Sequence, residues 1–220
     1  MLRSENGQAL AETAIVLPTM VVVLLLAVQL TQLQRARILA ESAAFAAART
    51  GIVMNGDPDR MAEAATLAVL PAFGRTDSFA SLTKTLLRFK AERAVAEQLG
   101  LTPLRLYVHN PVAADFRAFG QHLNGQEIDF DDVRPGATEA TLLSLQIRYL
   151  YELRVPFANK LVQTLWMAAK SGTRVADGTP EGISLPRLAA AARAGKHYLP
   201  VAAFYTMRMQ SNPFRKWAHP

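Results

Sequence analysis

Residues 7–34 read GQALAETAIVLPTMVVVLLLAVQLTQLQ: a glutamate at position 12, then 22 residues without a charge before Arg35. At about 1.5 Å per residue that run is roughly 33 Å of helix, enough to cross a hydrocarbon core of roughly 30 Å. A secretory signal peptide has a shorter apolar core with a small-x-small cleavage site behind it. Here the pattern continues as helix through Arg35-Ala36-Arg37-Ile38-Leu39-Ala40, so the segment reads as a single membrane span. Pro18 lies inside it and cannot donate to the carbonyl of Ala14, so a kink is expected there. Membrane helices accommodate such breaks. Glu12 is the anomaly, because a carboxylate at the lip of a span is costly. Two tasks fit it. It can complement the helix dipole, worth about 0.3–1 kcal/mol. Or, were the chain cut after Gly7, it would stand one helical turn from the new amine of Gln8 and could neutralise that amine on a neighbouring chain.

Beyond the span the helix is expected to run on as an alanine-rich stem, AESAAFAAART, until Gly51 offers a stop. Small residues on such a stem let a partner helix or a sheet approach closely. The 220 residues suffice for this anchor plus one modest folded domain. Cysteine is absent, which excludes a disulfide framework and thiolate metal sites but not an extracytoplasmic location. Net charge is +6. The charges are scattered, with Arg88, Lys90 and Arg93 alternating with Glu92 and Glu97, which describes a solvated basic surface rather than a nucleic-acid groove.

The remaining chain alternates helix and strand signals. Asn55-Gly56-Asp57-Pro58 reads as a turn, an N-cap and a first-turn proline opening a helix through Leu70. After a loop over 71–81, Thr83 to Leu99 is helical, with Leu87, Ala91, Ala94, Val95 and Leu99 assigned to its apolar face and Arg88–Glu92 and Arg93–Glu97 as i,i+4 pairs. Leu104, Leu106 and Val108 alternate with polar residues as a short strand. The clearest period-two signal runs from Thr141 to Val155, with Leu143, Leu145, Ile147, Tyr149, Tyr151, Leu153 and Val155 on one face. A matching face follows at Leu199, Val201, Ala203, Tyr205, Met207 and Met209. Such alternation predicts an antiparallel sheet wet on one side and covered on the other by the stem and the 83–99 helix. Between the long strands, Phe157, Leu161, Val162, Leu165, Trp166 and Ala169 form a helical stripe, and Leu188–Arg193 a second short helix. The first stripe has two readings: core, or a face resting on a membrane with Trp166 at headgroup level and Lys160 and Lys170 nearby.

Reactive constellations are not evident. His109, His122, His197 and His219 are dispersed, with no metal-ligand spacing and no cysteine partner. The acidic run Gln126–Asp132 lacks the spacing and central glycine of a calcium loop and reads as a polar turn or edge strand. No nucleophile elbow, phosphate-binding glycine loop or zinc-deaminase motif occurs. The reading is non-enzymatic, with no cofactor, no metal and no catalytic residue.

Three segments resemble the TadE-like family, small pseudopilins of the tight-adherence (Flp-type) pilus machinery. They are G-Q-A-L-A-E-T-A-I-V-L-P at Gly7–Pro18, A-A-F-A-A-A-R at Ala43–Arg49, and the tail A-F-Y-T-M-R-M-Q-S-N at Ala203–Asn212, similar to the closing strand of that family. Two positions depart from the pattern: Thr13, where an aromatic often follows the glutamate, and Glu5, an acid within the leader. The resemblance implies an α+β, pilin-like fold in which a long membrane-spanning helix continues as a stem packed on an antiparallel sheet with additional helices. It implies a prepilin-type leader over 1–7, a transmembrane helix and stem over 8–50, and an extramembrane α+β domain over 51–220. A prepilin peptidase would cut between Gly7 and Gln8. Glu12 would then act in subunit assembly with other pilins or pseudopilins, and Pro18 would kink the helix.

The expected location is the bacterial inner membrane, single-pass in the lipid bilayer, with the C-terminal domain outside the cytoplasm. Orientation is taken from the resemblance, since Arg3 against Arg35 and Arg37 counted alone would place that domain inside. A rival reading is a membrane-anchored surface or pilus-tip module that binds a polyanion such as DNA; another is an anchored enzyme. Neither accounts for the glycine–glutamate spacing.

Overall fold

The computed structural model describes residues 5–120, 124–170 and 184–218, with side chains of the first helix from Glu12 onward. His122 and His219 lie outside the described residues. Helix α1 (Glu5–Val53) is one uninterrupted helix of 49 residues. Beyond its uncharged run it buries Ala36, Ala40, Ala43, Ala44, Ala47, Ala48 and Ile52, a stripe at three- and four-residue spacing. Six of these seven are alanine, so the helix axis can lie close to whatever covers it.

A three-stranded antiparallel sheet covers it, in the order β1 (Leu104–Asn110), β2 (Leu142–Glu152) and β3 (Tyr198–Arg208). Register pairs Leu106 with Ile147 and Ile147 with Ala203, so the expected apolar faces of all three strands coincide. Leu143, Leu145, Ile147, Tyr149, Tyr151, Val201 and Ala203 are buried in one core with the stem alanines. The stem runs antiparallel to β2. Gln32 meets Tyr151 near one end of that strand, and Gly51 meets Leu143 near the other.

Helix α2 (Pro58–Val69) begins as its sequence predicts. Asp57 Oδ1 accepts from the Asp59 amide at 2.9 Å and proline occupies the first turn. It packs along α1 and reaches β1, burying Met61, Ala65 and Val69. After a 3₁₀ turn at Leu70–Ala72, helix α3 spans Phe79–Gln98. It starts earlier than Thr83 because Ser78 and Ser81 cap one another's amides, each hydroxyl accepting from the other's N–H. Among the described residues the connection from β1 to β2 holds two short helices, α4 (Ala113–Phe119) and α5 (Ala137–Ala140), which have no clear period in the sequence. The connection from β2 to β3 holds α6 (Ala158–Lys170) and α7 (Leu185–Arg193).

Three expectations are corrected. Gly51 does not stop the stem: the helix continues to Val53, and the chain turns at Asn55 and Gly56, both at positive φ. Gly51 serves close packing instead, since a Cβ there would lie 2.4 Å from Met61 Sδ and 2.6 Å from Leu143 Cδ2. Second, α3 turns a different face inward. Leu87 and Val95 are exposed, while Thr85, Phe89 and Ala96 are buried, with Leu82 and Leu86 half-buried beside them. The aromatic anchor removes more apolar area from water than a face rich in alanine. Phe89 meets Phe73 edge-on at 5.0 Å.

Third, the sheet's other face is not wet along its centre. Gln146, Arg148 and Leu150 of β2 are buried. Leu150 joins Ala96, Leu101, Leu188, Ala191 and Tyr198 in a second apolar cluster, which brings α7 onto this face. The Arg148 guanidinium lies over the Tyr107 ring at 5.8 Å. His109 stacks on Phe204 with its Nε2 3.3 Å from Gln146 Oε1. Alternation within the central strand could not report this cover, because it comes from flanking strands and a later helix.

Candidate functional site

The candidate site is the exposed rod of α1 and the place where that rod joins the domain. Gly7 and Gln8 lie within the first turns of α1, and Glu12 stands one turn beyond Gln8 on the same unbroken helix, with an exposed side chain. Helical structure runs through Pro18, and the Thr19 hydroxyl donates to the Ile15 carbonyl at 3.0 Å in the turn that proline loosens. From Glu12 to Val23 every side chain is exposed. Among the described residues one helix, Glu12–Val53, is long and apolar enough to cross a membrane.

The junction is built by polar residues set in the apolar run. Gln29 is fully buried, and its Oε1 accepts from the Val155 amide at 3.0 Å. One turn on, Gln32 Oε1 accepts from the Tyr151 hydroxyl at 3.1 Å. Burial pushes the Tyr151 phenol above its ordinary range, against the pull of nearby Arg154. A cleft of about 290 Å³ opens beside it, lined by Gln32, Arg35, Leu39, Pro71, Tyr151 and Arg154. Arg154 is drawn to Glu92 of α3 at 2.8 Å. These glutamines escaped the sequence reading, although two uncharged polar residues three apart near the end of an apolar run are a legible sign of a docking edge.

The far end of the stem is held by the chain's tail. The Ile52 carbonyl accepts from the Gln210 amide at 2.9 Å and from the Ser211 hydroxyl at 2.9 Å. Asn55 receives the Phe214 amide at 3.1 Å and donates its Nδ2 to the Asn212 carbonyl at 2.8 Å. The stem motif and the closing-strand motif, some 160 residues apart in the sequence, meet directly where the Phe45 and Tyr205 rings lie edge-on at 5.3 Å.

Several other titratable groups have structural partners. His197 Nδ1 lies 2.5 Å from Gln163 Oε1, and burial lowers its pKa below the ordinary value, with Lys160 adding to the effect. Lys196 pairs with Glu152 at 2.6 Å. The acidic run forms a turn in which Asp132 binds Arg134 and Asp129 accepts from the Asp131 amide at 3.1 Å. Glu127 bridges to Phe214. Among the described residues no three histidine, aspartate or glutamate side chains are grouped to hold a metal ion.

Residues 7–49 match the family described as TadE-like protein. The match contains the motifs at Gly7–Pro18 and Ala43–Arg49; the tail at Ala203–Asn212 lies outside it. No curated protein and no solved structure matches the chain. A TadE-like segment points to involvement in tight-adherence pilus assembly.

Proposed function

We propose that this chain, TadE-like over residues 7–49, is a minor pseudopilin that acts, without enzymatic activity, in assembly of a tight-adherence (type IVc) pilus. Residues 1–7 are its leader, 8–50 its membrane helix and stem, and 51–220 its extramembrane domain. Prepilin peptidase removes the leader between Gly7 and Gln8 at the cytoplasmic face. The helix stays in the bacterial inner membrane, and the domain stands outside the cytoplasm. Glu12 of one chain then neutralises the Gln8 amine of a neighbouring pilin or pseudopilin within an apolar bundle, where leaving one buried charge without its partner costs roughly 3–5 kcal/mol.

The observation that carries this reading is the placement of Gly7, Gln8 and exposed Glu12 on one continuous helix inside the family match. N-terminal sequencing after co-expression with the cognate prepilin peptidase tests the processing step, and a mature terminus at Gln8 is the expected result. An intact Met1 or a cut beyond the span refutes it. Glu12→Gln should leave membrane insertion intact and reduce co-purification with partner pilins at least tenfold, roughly a third of that pairing free energy. Undiminished capture would remove Glu12 from the mechanism.

A further inference from the structure

Helix α6 divides the apolar stripe seen in the sequence between two directions. Ala158 and Gln163 are buried, and Val162 and Trp166 pack half-buried against the main core. Phe157 is 77% exposed, Leu161 40% and Leu165 62%. Positions 161, 164, 165 and 168 follow three- and four-residue spacing and share one outward face of the helix, while Phe157, at positive φ, lies exposed in the turn just before it. Two exposed apolar side chains on that face, with a third at its approach, need a cover.

The place of α6 in the fold says which. The segment leading into it is fixed to the rod by the Val155 amide bond to Gln29, and the helix lies against α1. Gln29 is seventeen residues past Glu12, or roughly 25 Å along a helix, close to where a hydrocarbon core of roughly 30 Å gives way to headgroups. Val28 and Leu30 on either side of it are exposed apolar residues of the rod itself. The stripe therefore continues the apolar surface of the span sideways at interface depth. Cations occur along the chain at and around it: Arg35 on the rod, Arg154 before the helix, Lys160 and Lys170 on it and Lys196 beyond. Glu92 and Glu152 hold two of them, Arg154 and Lys196.

We propose that α6 is an interfacial helix: Phe157, Leu161 and Leu165 rest in the outer boundary of the same bilayer that α1 crosses, with the neighbouring cations at the level of anionic headgroups. Trp166 faces the core rather than the headgroups. This rests on reading α1 as a membrane anchor.

The chain has no cysteine, so single substitutions give unique labels. Full-length protein carrying Leu161→Cys or Leu165→Cys, each with an environment-sensitive fluorophore, is reconstituted in vesicles of phosphatidylcholine and phosphatidylglycerol. A Val133→Cys label, at a position 91% exposed, is the aqueous reference. Labels at 161 and 165 should shift to the blue and lose fluorescence to nitroxide-bearing lipids, while that at 133 does neither. A blue shift without lipid quenching would show a protein partner on the stripe and overturn the proposal. An aqueous spectrum at all three positions in protein that resists carbonate extraction would also overturn it, leaving the anchor intact. Protein released by carbonate would instead refute the anchor reading, and this proposal with it.

Discussion

Gly51 shows how one absent side chain sets the distance between the stem and the domain. Met61 and Leu143, which a Cβ there would strike, are both fully buried. Alanine is a better helix former than glycine by about 1 kcal/mol, but overpacking a filled core costs about 1–3 kcal/mol. Gly51→Ala should therefore destabilise the full chain by up to roughly 2 kcal/mol net, read as a lower denaturant midpoint in detergent solution. An unchanged or raised midpoint would mean that the neighbouring side chains yield freely. His197 makes a prediction of a different kind. Its pKa is held below the ordinary 6.5 by burial and by Lys160, so the neutral ring is the form the fold favours. The stability this implies is fully present above about pH 6.5 and is lost as the pH falls through the folded-state value. Replacing His197 with glutamine should flatten the unfolding midpoint across that acid range; an equally steep dependence in the variant would assign it to other groups.

At the scale of elements, α3 offers the sharpest discrimination, because two faces of one helix compete for the core. Phe89→Ala should cost about 3–5 kcal/mol by leaving a cavity beside Phe73 and Tyr149. Leu87→Ser, on the exposed face, should stay within about 0.5 kcal/mol of the parent. Chemical denaturation of the pair of variants checks both, and the reverse order of costs would restore the face that the sequence suggests. Legibility of the elements follows their physics. The three strands, α1, α2 and α6 were plain because period and apolar content are clear in them, and α2 adds an N-cap and a first-turn proline. In α3 the count of apolar letters misled: of the five residues on the expected face four are exposed, while the single phenylalanine, Phe89, is buried. The short helices α4 and α5 carry too few residues to show a period. The candidate site was half legible. Gly7, Gln8, Glu12 and Pro18 can be read along the chain, but the Gln29–Val155 and Gln32–Tyr151 contacts join residues more than a hundred positions apart and exist only after folding.

Taken whole, the molecule is a rod with a domain wrapped on its far half. One core holds the stem alanines together with β2 and β3, so stem and sheet should unfold together. In the full chain, amide exchange at Ala43–Ala48 and at Leu145–Tyr149 should collapse at the same denaturant concentration. Early loss of protection in the stem alone would show a separable helix.

The alignment of that stem antiparallel to β2 has a mechanical result. A tug on the membrane end of α1, directed along its axis, loads the helix–sheet contact in shear, so that every alanine from Ala36 to Ala48 and the knot at Ile52 and Asn55 bear the strain at once. A sideways tug would open the same seam one residue at a time. The fold is thus strong along the axis of α1 and weak across it.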